Sequence, residues 1–400
     1  MDYLLSIIIP TRNREEYAFL SAIQILKSTS DSVQLVIQDN SDCDSLKEKL
    51  MNIPHFNRIK YNHTSDILSF VDNFSKGVEL SDGEFLCMIG DDDGINPELE
   101  DLVRWAKENQ IEAISPRIKL NYTWPNTGMK YYEKDTGNLM IIDFDMKSEF
   151  FSTRKELRRL LNSGAQNYLK YNLVKIYHGI VTKKLMDEVK ATTGKYFGGL
   201  SPDIYAAVAL SLVCDKVLII NYPLTIPGVC SKSGSGHSST GRHHGKLEDA
   251  PHLIGHTNYQ WSQFVPAFYS VETIWADTTL AAFREMNEYD LIENFSVPVL
   301  SAYCYKYKEF RNLIKENNSR YFIKKNKIKT TQYIIQLLSF IKGPLSDLTN
   351  RIKNRIFRRK GTVKIYNDVN NIIEAEILME EYLEKKSKNI NKVINRLGVK

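Results

Sequence analysis

The chain has 400 residues, 42% of them apolar and 25% charged, with 22 tyrosines and 17 phenylalanines. That is enough for a catalytic domain of roughly 200–250 residues plus an appendage, and it excludes global disorder. The net charge of +5 is uneven, because residues 324–360 hold eleven Lys/Arg and one acid, so that +10 sits there and −5 on the remainder.

The five cysteines, at 43, 87, 214, 230 and 304, form no C-x-x-C pair, which argues against a disulfide framework or a structural zinc. Met1-Asp2-Tyr3 leads into an apolar run without the features of a secretory signal. The longest apolar stretch late in the chain, Tyr333–Ile341, is short and broken by Gln336 and Ser339, whereas a spanning helix needs ~20 apolar residues. A cytoplasmic protein that does not cross a bilayer is the expectation.

Leu4–Pro10 is a continuous apolar run ended by proline, as in a strand covered on both faces. Arg14–Lys27 has helical spacing at Tyr17, Leu20, Ile23 and Leu26. Val33–Gln38 reads as a second strand, followed by the turn residues Asp39-Asn40-Ser41-Asp42 and a short helix near Asp44–Leu50. Arg58–Asn62, Ile67–Val78 and Glu84–Ile89 continue as strand, helix and strand, the last delivering the chain to Gly90-Asp91-Asp92-Asp93. Asn96-Pro97-Glu98 starts another helix, and Ile111–Ser115 another strand. This alternation predicts an open, mostly parallel sheet whose ligands bind at the carboxyl ends of its strands, where Thr11-Arg12-Asn13, Asp39-Asn40-Ser41 and Asp91-Asp92-Asp93 all fall.

Residues 116–230 are less regular, with a long loop or hairpin expected over Asn121–Asn138. Ser201 and Pro202 can start a helix whose body, Ile204–Val213, is apolar almost all round, and Lys216–Ile220 reads as a strand. Ser231–Gly245, rich in Gly, Ser and His, is a loop, and helical patterns resume over Tyr259–Glu316, where Trp261, Phe264, Phe268 and Trp275 read as helix–helix core.

Three successive aspartates at a strand end repel one another unless solvated or neutralised, and a hard divalent cation with oxygen ligands neutralises them well. Strand alternation, if it persists, makes Asp91 and Asp93 project together and Asp92 point away.

The segments SIIIPTRNR, LVIQDNSD and LSDGEFLCMIGDDDGINPE, in this order and spacing, resemble inverting family 2 glycosyltransferases of the GT-A fold, closely over residues 1–115 and loosely to 230. The resemblance implies a Rossmann-like α/β sheet with flanking helices, to which this chain adds a C-terminal α-helical extension. The expected division is a nucleotide-sugar-binding domain over 1–230, a loop and helical acceptor-side region over 231–320, and a basic extension over 321–400. By the same resemblance, Thr11, Arg12 and Asp39 hold the nucleoside, Asp91 and Asp92 meet the donor diphosphate, and Asp91 and Asp93 bind Mn²⁺ or Mg²⁺. Asp203, in the first turn of its helix, is the implied catalytic base, and one of the loop histidines His237, His243 and His244 is expected to complete the metal site, with His244 carried forward. Many family members carry D-D-G-S after strand two where this chain has Gln38-Asp39-Asn40-Ser41.

The implied activity is transfer of a sugar from a nucleoside-diphosphate sugar, UDP-linked by expectation, to a glycan or lipid-linked glycan, with inversion, in synthesis of a capsule or O-antigen type polysaccharide. YIIQLLSFIK followed by RIKNRIFRRK is amphipathic and cationic, which suits an anionic inner leaflet. Val369–Leu397 is expected to form helices that pack on the protein or self-associate. Nucleic acid is not an expected partner, since no accompanying motif is present. A sugar nucleotidyltransferase needs a glycine-rich phosphate loop after strand one, and Pro10-Thr11-Arg12-Asn13 has no glycine. A non-catalytic scaffold at the membrane is the third reading.

Overall fold

A computed structural model describes residues 3–125, 127, 137–231, 244–254, 259–327, 329–349, 352 and 362–397. Four parallel strands, β1 (Leu5–Thr11), β2 (Val33–Asp39), β3 (Ile59–His63) and β4 (Phe85–Met88), are joined by helices α1 (Glu15–Ser28), α2 (Ser45–Leu50) and α3 (Phe70–Glu79). A two-residue strand, β5 (Gly94–Ile95), and helix α4 (Leu99–Glu108) lead to β6 (Ala113–Pro116). Apart from β5, which the patterning does not mark, these elements fall where it puts them, within three residues.

The later chain supplies β7 (Leu120–Thr123), β8 (Asn138–Ile142), β9 (Ser148–Ser152), α5 (Thr153–Asn162), β10 (Ile180–Thr182), α6 (Lys183–Thr193), α7 (Pro202–Val213), β11 (Lys216–Ile220), β12 (Thr225–Ile226) and β13 (Gly228–Val229). The eight-stranded sheet has the order β3-β2-β1-β4-β10-β6-β11-β9, with β10 and β9 antiparallel to their neighbours. This mixed, mostly parallel sheet with flanking helices is the α/β architecture that the resemblance implies. The hairpin expected over 121–138 is β7 paired with β8.

Strand alternation sends side chains to two cores. Leu5, Ile7 and Ile9 of β1 join Leu35 and Ile37 of β2 on one face, while Ile8 and Val36 join Val208 and Leu210 of α7 on the other. The first core also contains Val369, Ile372, Met379, Leu383, Ile390 and Val393. Residues 369–393 of the C-terminal extension are thus part of the catalytic domain's core. Strand β14 is His244–Lys246 and β15 is Phe268–Ser270; β16 (Val363–Asn367) then pairs with β8, and the helix Ile372–Lys385 packs on α1, where Ser28 Oγ bonds the Glu376 carboxylate. The apolar stripe of this helix needs a partner, and α1 supplies it. The C-terminal helices pack on the protein, one of the two outcomes expected for them. Trp261, Phe264 and Trp275 pack against the second core and Phe268 lies inside it.

All five cysteines are free thiols. Among the described residues no helix is long and apolar enough to cross a membrane.

Candidate active site

The carboxyl ends of β1, β2 and β4 meet, as the parallel topology requires. Thr11, the last residue of β1, donates its hydroxyl to Asp91 Oδ2 at 2.5 Å. Ser21 on α1 donates to the carbonyls of Asp91 and Asp93 at 2.9 and 2.6 Å, and Gln24, one turn later, bonds both backbone groups of Ile95. Helix α1 therefore fixes the acidic turn by its backbone, leaving the carboxylates to the surrounding groups.

Asp91 and Asp92 share one cation. Arg14 Nη2 lies 2.9 Å from Asp91 Oδ1, and Arg14 Nη1 lies 3.8 Å from Asp92 Oδ1. Asp92 Oδ2 accepts the Cys230 N–H at 3.1 Å. Asp93 faces elsewhere: Oδ2 accepts the Gly90 N–H and Oδ1 the Gly228 N–H, both at 2.6 Å. The expected pairing of Asp91 with Asp93 is therefore not the one observed. The physical reason is that β4 ends at Met88 and Asp93 N–H turns back to the Gly90 carbonyl, so the period of two stops before the aspartates begin.

Burial raises the pKa of all three aspartates, and Arg14 pulls Asp91 and Asp92 back down. Asp93 is pushed up to about 6 by burial, against the hydrogen bonds from Gly228 and Gly90. Arg14 itself loses by burial and gains more from Asp91 and Asp92, so its pKa rises.

Two neighbours escape the sequence reading. His178 Nε2 lies 3.5 Å from Asp93 Oδ2 and its Nδ1 lies 2.9 Å from Thr225 Oγ1; burial lowers its pKa to about 4, leaving the ring neutral at pH 7. Tyr177 donates to Asp93 Oδ2 at 3.3 Å and stacks on Phe74. Both come from the irregular middle of the chain, where no periodicity marks them.

Asp39 is buried, with Oδ1 accepting the Ser41 N–H and Oδ2 the Tyr61 hydroxyl, each at 2.8 Å. Arg12 lies at the surface, 3.8 Å from Asp42. Asp203 begins α7 as expected; Oδ2 accepts the Tyr168 hydroxyl at 2.6 Å and Oδ1 the Ser201 hydroxyl, so Ser201 binds the acid rather than capping the helix backbone. His244 lies 3.2 Å from Glu309 and beside Tyr307, in the strand pair β14–β15, and makes no bond to the aspartates. His237 and His243 lie outside the described residues.

A divalent cation can be tested against these donors. Among the described residues no group of three or more His, Cys, Asp or Glu is arranged to hold one. Two carboxylate oxygens, Asp91 Oδ1 and Asp92 Oδ1, nevertheless converge on the guanidinium, and Asp91 Oδ1 is buried and accepts no hydrogen bond. Two carboxylates completed by substrate phosphates are the protein share that Mg²⁺ commonly takes. The donor set fits in that form, with Asp93 outside it.

A mostly parallel sheet carries an acidic turn at its carboxyl edge, the arrangement that the sequence resemblance implies. Residues 6–168 match the family model described as glycosyl transferase family 2. Glycosyltransferase GlyG of Streptococcus pneumoniae serotype 4 is 21% identical over 226 residues, covering 55% of this chain and 69% of GlyG. S. aureus TarS 1–349 in complex with UDP-GlcNAc aligns with a TM-score of 0.44 and 13% identity over 81% of this chain and 93% of that one. The same protein in complex with UDP aligns with a TM-score of 0.41 and 13% identity over 81% and 92%. Residues 6–168 are similar to the glycosyl transferase family 2 domain, and the chain is a glycosyltransferase that moves a sugar from a nucleotide sugar.

Proposed function

We propose that this enzyme transfers a sugar, with inversion, from a UDP-linked donor to a glycan or lipid-linked glycan of a surface polysaccharide. The observation that carries the reading is the convergence of Thr11, Asp91, Arg14 and Asp92 at the carboxyl end of β1 and β4. The donor diphosphate approaches this edge, with Thr11 and Arg12 toward the nucleoside and Asp39 shaping its pocket through Tyr61 and Ser41. Mn²⁺ or Mg²⁺ held by Asp91 and Asp92 would neutralise the leaving diphosphate.

Asp203 is the base in this reading. Each of its oxygens accepts one hydroxyl and keeps a further lone pair. The acceptor oxygen forms its bond to the anomeric carbon, the bond from that carbon to the diphosphate breaks, and the hydroxyl proton passes to Asp203. Nucleoside diphosphate leaves with the bonding electrons.

The enzyme docks on an anionic membrane through the stripe Ile334, Leu337, Leu338, Ile341, Leu345, Leu348 and Ile352, exposed residues at helical spacing. Lys324, Lys325, Lys327 and Lys342 lie in the same basic segment. The test is donor hydrolysis and transfer by the purified chain across a panel of nucleotide sugars, with Mn²⁺ and with EDTA. Absence of turnover with every UDP-sugar would sink the donor assignment.

A further inference from the structure

Arg14 is an unusual neighbour for a pair of acidic residues that a divalent cation would bind. Its guanidinium is held at the N-terminal boundary of α1, directly after the β1 turn, and reaches across to the acidic turn after β4. One nitrogen is 2.9 Å from Asp91 Oδ1, the other is 3.8 Å from Asp92 Oδ1, and the same nitrogen lies 3.8 Å from Cys230 Sγ. Asp91 is fully buried and its Oδ1 accepts no hydrogen bond, so the guanidinium is the group that faces this oxygen. Thr11 occupies Oδ2, and the Cys230 N–H occupies Asp92 Oδ2. The two oxygens directed at Arg14 are therefore those left for any other cation.

We infer that Arg14 is the resident counter-cation of Asp91 and Asp92, and that the guanidinium and a divalent ion are alternative occupants of the same position. This rests on the donor reading above only in taking these carboxylates as the metal-facing pair. Occupancy and like-charge repulsion carry it. Arg14 Nη2 already stands 2.9 Å from Asp91 Oδ1, and a divalent ion on that oxygen beside an unmoved guanidinium puts two like charges a few ångströms apart in a buried place, where repulsion is weakly screened. The Arg14 side chain is 21% exposed, whereas Asp91 is 0%, so the arginine is the partner able to withdraw toward the crevice. The aspartates are fixed by Ser21, Thr11 and Cys230 and keep their places.

Two consequences follow for the enzyme as it exists. Free metal binds weakly before the donor arrives, because it must evict a cation already paired twice. A diphosphate supplies both the missing ligands and a new partner for the released guanidinium, so metal and donor enter together.

The experiment is a Mn²⁺ titration of the full chain without nucleotide, following free Mn²⁺ by its EPR signal, for the wild type, Arg14→Met, Arg14→Lys and the double variant Arg14→Met/Asp91→Asn. Arg14→Met keeps the apolar stem and removes the charge, and should bind Mn²⁺ about tenfold or more tightly than the wild type. The double variant should lose that gain. Arg14→Lys, which retains one charge without the planar fork, should fall between wild type and Arg14→Met, and serves if Arg14→Met fails to fold by circular dichroism. Affinity in Arg14→Met, or in Arg14→Lys where only that variant folds, no tighter than wild type would overturn the inference. So would a gain that survives Asp91→Asn, since the ion would then sit elsewhere. No donor is present, so the result is independent of the donor assignment.

Discussion

The Asp93 carboxylate accepts the Gly228 backbone N–H at 2.6 Å, joining positions 135 residues apart. Its other oxygen takes the Gly90 N–H, and a Cβ on Gly228 would lie 1.8 Å from the Asp92 carbonyl. Asp93 is thus a clamp between the acidic turn and β13. Asp93→Ala strands two backbone donors, each costing about 1–3 kcal/mol when left unpaired and buried. We predict a fall in stability of roughly 2–4 kcal/mol by chemical denaturation, larger than for Asp92→Ala. Equal denaturation midpoints for the two variants would contradict the clamp.

Asp91→Asn should behave differently. The amide keeps the shape and the Thr11 contact while removing the charge that faces Arg14 and, when present, the metal. The expected result is a folded protein whose transfer rate falls by at least ~10²-fold, comparable to loss of one preorganised electrostatic group. Near wild-type turnover with Mn²⁺ would remove Asp91 from the site.

Asp203→Asn tests the base. Donor affinity should be retained and kcat should drop by ~10²–10⁴-fold, since an amide cannot take the acceptor proton. A drop smaller than tenfold would transfer the role to another carboxylate.

The difference between what the residues foretold and what the fold contains has physical causes. Runs such as Ser6–Pro10 and Leu35–Gln38, bounded by turn residues, admit little besides buried parallel strands, so the order of the first six large elements and the convergence of Thr11, Asp39 and Asp91 were legible. The direction of each aspartate was not, because a turn after β4 replaces the strand period. Arg14 reads in sequence as one more basic residue near a surface turn; its burial depends on the acidic turn some 75 residues later. His178 stands in a left-handed backbone conformation, φ 61°, within a segment lacking periodicity. His244 has the composition of a loop around it, yet it pairs with β15 and Glu309. The Val363–Asn367 strand becomes a strand only by adding to β8, a partner more than 200 residues earlier.

Asp277 offers a pH test away from the aspartate cluster. Burial pushes its pKa up to about 6, against the hydrogen bonds from Tyr259 and the Ser262 N–H. A folded-state value above the unfolded value of about 4 means that the native state binds the extra proton. The stabilising contribution is therefore complete below pH ~4 and disappears as pH rises to about 6. Melting curves from pH 4.5 to 7 should show Asp277→Asn losing less stability with rising pH than the wild type, by up to roughly 2 kcal/mol. Parallel curves would show that Asp277 does not titrate in this window.

Membrane docking needs a test that spares the core. Truncation after residue 318 would remove Ile372, Met379, Ile390 and Val393 from the first core along with the basic segment, so lost vesicle binding would be confounded by unfolding. Substitution on the exposed stripe avoids this. Leu337 and Leu338 are 62% and 46% exposed on the helix Lys329–Phe340, so Leu337→Ser/Leu338→Ser removes apolar surface without opening a cavity. Up to eleven cations act in the same segment, each gaining at most ~1 kcal/mol near an anionic surface, and they set lipid preference while the leucines set depth. In sedimentation with anionic vesicles, the wild type should bind more as the anionic fraction rises, the double serine variant should bind at least ~5-fold more weakly, and both should melt at the same temperature. Binding that is equal for neutral and anionic vesicles, or unchanged in the variant, would mean that the stripe covers a protein partner instead.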